Sequence, residues 1–311
     1  MKITLNSTHV SYFTLGAYFD TGLFKYLYFM ILFILYLLIV CANVLLIVVI
    51  CMNRSLHEPM YVFLCSLFVN ELYGSTGLFP LLLVQILSDV HTVSASVCLL
   101  QVFCLYSYGG VEIFTLAIMS YDRYLAICLP LQYNRQMTSN KIIMLVALSW
   151  IYPLLSNFFF SQAVPLQLCG NIINKVYCDN YYIVKLSCSD TTVNNIVGLT
   201  HMFTVIFGLI ILILYTYARI LKVCFSGSKQ TRQKAVSTCT PHLLSLLNFS
   251  FGAFFEIMQS RFNLKSLPKL LRIFLSLYWL LCQPLVNPLL YGLQMSKIRI
   301  VYKNLLFGRK M

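Results

Sequence analysis

The chain has 311 residues, 59% of them hydrophobic and only 10% charged, with a mean hydropathy of +0.81. A soluble globular domain carries about 25% charged residues, so this composition excludes one. The formal net charge of +13 sits beside long apolar runs and implies attraction to the anionic inner leaflet, not nucleic-acid binding.

Seven apolar runs follow one another at about 26–52, 59–87, 96–121, 141–161, 196–221, 236–259 and 269–293. Each reaches the length of about 20 residues that crosses a bilayer core as a helix. No ten-residue alternation of the kind that builds a transmembrane β-barrel is present. The expected fold is an all-α membrane protein, a seven-transmembrane helix bundle with a short amphipathic C-terminal helix. One domain is expected over 1–311, with an extracellular segment 1–25, a bundle 26–293 and a cytoplasmic tail 294–311. Pro80, Pro153, Pro241, Pro284 and Pro288 fall inside the spans, where neighbouring helices can satisfy the backbone groups they free.

At the start of the chain, Lys2 is followed by only a few apolar residues before Asn6-Ser7-Thr8. The first span is therefore expected to act as its own insertion signal. Asn6-Ser7-Thr8 is a glycosylation sequon, which suits an external N-terminus. With that orientation, fourteen of the 22 Lys and Arg lie on inner loops and the tail, in the sense of the positive-inside bias.

The first and second spans carry Asn43 and Glu71, the third Glu112, and the seventh Asn287. Glu71 is the 13th residue of its span counted from the inner end and Glu112 is 11 above Arg123, so both sit about 15–20 Å from the inner face at 1.5 Å per residue. Intramembrane acids read as functional by default. Two nearby carboxyls would share a proton or bind a cation such as sodium, and two neutral hydrogen-bonded acids holding helices together are the alternative. The third span ends at Asp122-Arg123-Tyr124. An ionised pair is tolerable there, at the inner boundary, and taken alone it reads as an interfacial anchor.

Of twelve cysteines, four lie at the outer face: Cys98 at the start of the third span, then Cys169, Cys178 and Cys188 in the long loop after the fourth. Four cysteines in an oxidising compartment suggest two disulfides, with three pairings open. Zinc is disfavoured by the wide spacing without a CxxC element. The last segment, Ser296–Phe307, alternates basic and apolar residues as a surface helix does. Unequal spans without an internal repeat speak against a transporter, and the absence of HExxH or GxSxG speaks against an enzyme. No cofactor is expected.

Several of these stretches together resemble one family. MSYDRYLAICLPLQY (119–133) resembles the MAYDRYVAIC-PL-Y string of odorant receptors, a branch of the rhodopsin-like G-protein-coupled receptors. LHEPMYVFLCSL (56–67), KAVSTCTPHL (234–243), PLVNPLLYGL (284–293) and the three loop cysteines match the same pattern. NELYG (70–74) and VKLSCSDTTVNN (184–195) look closest to fish-type members. Ser120 and Val236 stand where the family has Ala and Phe, and Pro241 interrupts the sixth-helix motif.

The resemblance implies a receptor for small odorants that activates a stimulatory-type heterotrimeric G protein at the plasma membrane; a non-olfactory chemoreceptor of the same fold is the alternative. It implies disulfides Cys98–Cys178 and Cys169–Cys188, and it places Glu71 where the superfamily has its sodium-linked acid. Asp122, Arg123, Tyr124, Tyr217, His242, Asn287, Pro288 and Tyr291 become the activation switch, although Tyr217 and Tyr291 read equally as interfacial belt residues. The inner end of the sixth helix offers no acid, so His242 and Thr238 suggest a hydrogen-bonded latch in its place. Ligand contacts are expected from Leu105, Tyr106, Gly109, His201, Ser250, Phe254, Ile257 and Arg261. Arg261 shares a helical face with Ser250 and Ile257, which implies anionic, water-soluble odorants.

Overall fold

The computed structural model describes residues 10–162, 167–226, 229–261, 267–295 and 297–301. Seven long helices account for the expected spans: α1 Phe24–Met52, α2 Pro59–Leu87, α3 Ala95–Cys128, α4 Ser139–Gln162, α5 Thr192–Ser226, α6 Lys229–Arg261 and α7 Lys269–Gln294. Local signals set several ends. Pro59 occupies the first turn of α2, where its missing N–H costs nothing. The Ser94 hydroxyl caps α3 by accepting from the Val97 N–H at 3.4 Å. Helix α3 runs seven residues past the expected span, so Asp122 and Arg123 are still helical.

Among the described residues, six helices are long and apolar enough to cross a membrane by length and composition; α6 is the exception. Its 33 residues are long enough, but Ser, Thr, His, Asn and Gln dilute its apolar content along much of its length. Pro241 does not break it: α6 is one continuous helix with Pro241 inside, and the neighbouring Thr240 hydroxyl donates to the Val236 carbonyl at 2.6 Å.

Close helix contacts are made at small residues. A Cβ on Gly74 would lie 2.4 Å from the Tyr108 ring, and one on Gly252 would lie 2.5 Å from Trp279 Cβ. Glycine thus lets α2 approach α3, and α6 approach α7, as small residues do in membrane bundles.

The outer face carries a small sheet that the apolar periodicity did not announce. Strand β1 (Tyr12–Leu15) lies between β2 (Thr92–Ser94), with which it is antiparallel, and β3 (Ile172–Ile173), with which it is parallel. Phe13, Leu15, Val93, Ile173 and Ile183 are buried beneath it with Cys98 and Cys178. The N-terminal segment and the loops before α3 and after α4 therefore form one lid. Asn6 and most of the C-terminal segment lie outside the described residues; at 297–301 the chain is helical, with Ile298 and Val301 buried and Lys297 and Arg299 exposed.

Candidate functional site

At mid-bundle, four helices contribute to one buried polar network. Asn287 on α7 donates through Nδ2 to Glu71 Oε1 on α2 and, at 3.0 Å, to Glu112 Oε1 on α3. Tyr108 donates to Glu71 Oε2 at 2.9 Å, and Asn70 donates to Glu112 Oε2 at 3.1 Å. Ser245 on α6 donates to Asn287 Oδ1 at 2.7 Å. Glu71, Glu112 and Asn287 are fully buried, so this is a network in which each lost partner leaves a desolvated group behind. Asn43 stands apart from it, since its amide donates to the Ile39 and Pro284 carbonyls, both at 2.9 Å, and joins α1 to α7. Asn70, Tyr108 and Ser245 were not singled out in the sequence. Their contact depends on which turns of α2, α3 and α6 come level, which spacing within one helix does not encode.

The carboxyls converge on one amide, and the Asn70 Oδ1 nearby is buried without a hydrogen-bond partner.

The inner end holds two clasps. Asp122, fully buried, accepts from its neighbour Arg123 through Nε at 3.0 Å and through a second guanidinium nitrogen. Its other oxygen accepts from Tyr133 at 2.7 Å, in the short inner loop after α3. His242 on α6 contacts the Leu116 carbonyl of α3 through Nε2 at 2.8 Å and the Tyr217 hydroxyl of α5 through Nδ1. A carbonyl can only accept, so in the neutral ring Nε2 carries the proton and Tyr217 donates to Nδ1. One imidazole thereby holds α3, α5 and α6 together at the place where the sequence offers no acid; the Thr238 side chain lies outside the described residues. Tyr291 is buried against Phe68 with ring centroids 6.4 Å apart, and Tyr124 packs on Tyr215 at 6.3 Å. Pro288 is buried within α7.

At the outer end, Cys98 bonds to Cys178 and Cys169 to Cys188, the pairing that the resemblance implied. The first bond fastens the loop after α4 onto α3, and Gln101 Oε1 accepts from the Cys178 N–H at 2.9 Å. Below this lid lies an ion pair absent from the expected ligand set. Lys175 of the loop, 3% exposed, donates to Glu256 of α6, 16% exposed. Lys175 also donates to Tyr177 Oη at 3.1 Å, and its ammonium lies 4.9 Å from the Tyr177 ring centre and 5.8 Å from that of Tyr182. Burial opposes charge on Lys175, but Tyr177, Glu256 and Asp179 outweigh it and hold the pKa well above the usual ammonium value. Glu256 is an intramembrane acid, and that alone was a signal available in the sequence.

The expected ligand residues fall into different places. Tyr106 faces this cluster, with Asp179, Glu256, Tyr177 and Lys175 in electrostatic range, and is 38% exposed. Leu105 is packed among Leu78, Leu82, Tyr108 and Leu277, and Gly109 abuts Trp279; both belong to helix packing. His201 reaches the Tyr152 hydroxyl of α4 at 3.1 Å. Ser250 and Phe254 are exposed, and Ile257 is half-buried. The α6 face turned inward is instead His242, Ser245, Phe249, Gly252 and Glu256. Arg261 lies on the flank of Ser250 and Phe254 by helical phase, and its side chain lies outside the described residues. The inward placement expected of Ser250 and Phe254 is thus corrected.

A model of the olfactory receptor family matches residues 32–309. The chain is 36% identical over 269 residues to olfactory receptor 52D1 of Homo sapiens, covering 85% of this chain and 84% of that protein. It is 32% identical over 307 residues to olfactory receptor 4E2 of Homo sapiens, covering 97% and 96%. The crystal structure of squid rhodopsin superposes with a TM-score of 0.74 over 96% of this chain and 93% of that one, at 18% identity, a likeness of fold. A seven-helix bundle matched by the family along nearly its whole length is a multi-pass signalling receptor and not an enzyme, and this chain belongs to the olfactory receptor family.

Proposed function

We propose that the chain is an odorant receptor of the plasma membrane, with its N-terminus outside and Asn6 glycosylated. It binds a small odorant in the outer half of the bundle and activates a stimulatory-type heterotrimeric G protein. The observation that carries this reading is the contrast between its two ends. Hydrogen bonds through His242 draw α3, α5 and α6 together inside, while outside Tyr106 lies beside a charged cluster that ties α6 to the lid. A ligand that favours a different placement of α6 at the outer end would release the inner end, which is how a two-state bundle transmits binding. The polar layer of Glu71, Glu112 and Asn287 lies between the two ends and moves with both; Glu71 and Glu112 share a proton or hold a sodium ion there. The preference for anionic odorants drawn from Arg261 has no support from α6, whose Ser250 and Phe254 flank is exposed.

The test is a cAMP assay in transfected cells with an odorant panel, on wild type and Arg123→Ala at matched surface expression. Wild type is expected to respond, and the variant to lose signalling while keeping ligand binding. Normal cAMP output from Arg123→Ala would remove Arg123 from the switch. A non-olfactory chemoreceptor would pass the same assay and differ only in the tissue that expresses it.

A further inference from the structure

The inner end of α6 has no acid to form an ionic clasp, yet the helix is ion-paired at its other end. Lys175 and Glu256 join the lid to α6, and Tyr177, beside them, donates to the Ser276 carbonyl of α7 at 3.2 Å. The Cys98–Cys178 bond, three residues from Lys175, anchors the same loop to α3. Any ligand that enters beside Tyr106 therefore meets a junction of α3, α6, α7 and the lid.

The charges at this junction do not balance. At formal charges Lys175 contributes one positive and Glu256 and Asp179 two negative, an excess of one negative. Asp179 is engaged as the cap of a short helix, accepting from the Tyr182 N–H at 3.3 Å. Lys175 is well served, by Tyr177 Oη, Glu256 Oε1 and two aromatic rings. Glu256 has less: the Tyr177 hydroxyl lies near it, but its Oε2 is buried and meets no donor at hydrogen-bonding geometry. A buried acceptor without a donor is costly and invites one. A carboxylate ligand would bring a third negative charge to one lysine. An ammonium would neutralise the excess and supply the missing donor.

We propose that Glu256 is the recognition residue for a protonated amine on the ligand, which takes the place of Lys175 at the carboxylate. This rests on the reading that the outer half is the ligand site. The exchange gives binding a direct mechanical consequence. Once Lys175 leaves Glu256, the lid no longer restrains α6, the helix whose inner end carries His242. The remaining partners of Lys175 lie on its own loop, so the lysine keeps its tyrosine contacts.

The experiment uses the full-length receptor in nanodiscs at pH 7 and reads ligand-induced thermal stabilisation. The probes are hexylamine and phenethylamine, each with the alcohol and the carboxylic acid of the same carbon skeleton. At least one amine is expected to stabilise wild type more than its matched alcohol or acid. Glu256→Gln should weaken that amine at least tenfold, and Glu256→Asp, which keeps the charge, should retain it. Lys175→Gln should bind the amine as tightly or more tightly, because the competing cation is gone. The proposal is overturned if neither amine stabilises wild type, or if Glu256→Gln binds it within twofold. It is also overturned if Lys175→Gln loses binding as Glu256→Gln does, since the pair would then be only structural. A cAMP assay on the same variants separates the two readings. Amine binding that depends on Glu256 without a cAMP rise would support the site and refute the stimulatory coupling.

Discussion

Substituting Glu71 and Glu112 with Gln, singly and together, tests whether the two acids act as one unit. Their Oε1 atoms accept from the same Asn287 nitrogen, so they lie within about 6 Å of each other by hydrogen-bond geometry. Two full charges about 5 Å apart, at an effective dielectric of about 20, repel by about 3 kcal/mol. Tyr108 donates to Glu71, Asn70 to Glu112 and Asn287 to both, and these hydrogen bonds do not cancel that repulsion. The pair is therefore expected to keep one proton or one cation between its members. Glutamine imitates the protonated acid in shape, so in the proton-sharing case each single substitution should cost less than about 1 kcal/mol. The double substitution removes the last charge from a network built to accept hydrogen bonds and should cost about 2 kcal/mol or more beyond the sum. In the cation case, sodium chloride should raise the Tm of wild type relative to choline chloride, and either single variant should lose the increase. Thermal unfolding of the four proteins in nanodiscs, in both salts, measures these differences. Costs that add within about 0.5 kcal/mol, with no sodium effect on wild type, would refute the reasoning.

Other predictions concern the clasps and the lid. His242→Phe removes the contacts to the Leu116 carbonyl and Tyr217 at about 1–2 kcal/mol in favour of the open form, so basal cAMP should rise; an unchanged basal level would deny the latch. Gly74→Val places a side chain inside the Tyr108 ring contact and should lower stability by about 1–3 kcal/mol, read as a lower Tm and reduced surface expression. Disulfide mapping should return peptides joined through Cys98–Cys178 and Cys169–Cys188, and a Cys98–Cys169 peptide would contradict the structure. Replacing both Cys169 and Cys188 by Ser opens a loop with 19 residues of sequence separation, which should cost about 3 kcal/mol.

Most of the bundle could be read from the sequence because the bilayer imposes a length. Seven runs of hydrocarbon-spanning size correspond to α1–α7, with ends shifted by a few residues where helices continue into water. The outer sheet was not legible. Strand β1 is four residues long and pairs with segments about 80 and 160 residues away, and so short a stretch carries no periodicity of its own. The polar layer was half legible. Glu71, Glu112 and Asn287 announced themselves as polar groups at membrane depth, whereas Tyr108 reads as one aromatic among 21 tyrosines until Gly74 is seen to admit its ring beside Glu71.

Helix α6 shows why the ligand face was misplaced. Ser250, Phe254, Ile257 and Arg261 do share one face, and the spacing that says so is sound. Spacing alone fixes which residues lie together, not which way that face points. In water the hydrophobic effect would settle it, but in a bilayer lipid and protein interior are equally apolar, and the driving force for the orientation is packing and hydrogen bonding. Polar residues then mark the interior. At 100° per residue, Ser245 lies about 20° from Glu256 around the helix, while Ser250 and Phe254 lie about 120° and 160° from it. Ser245 donates to Asn287 and Glu256 pairs with Lys175, so both ends of this stripe are tied inward. The one acid in α6 was the better compass, since a charge in that helix has nowhere to go but toward a partner.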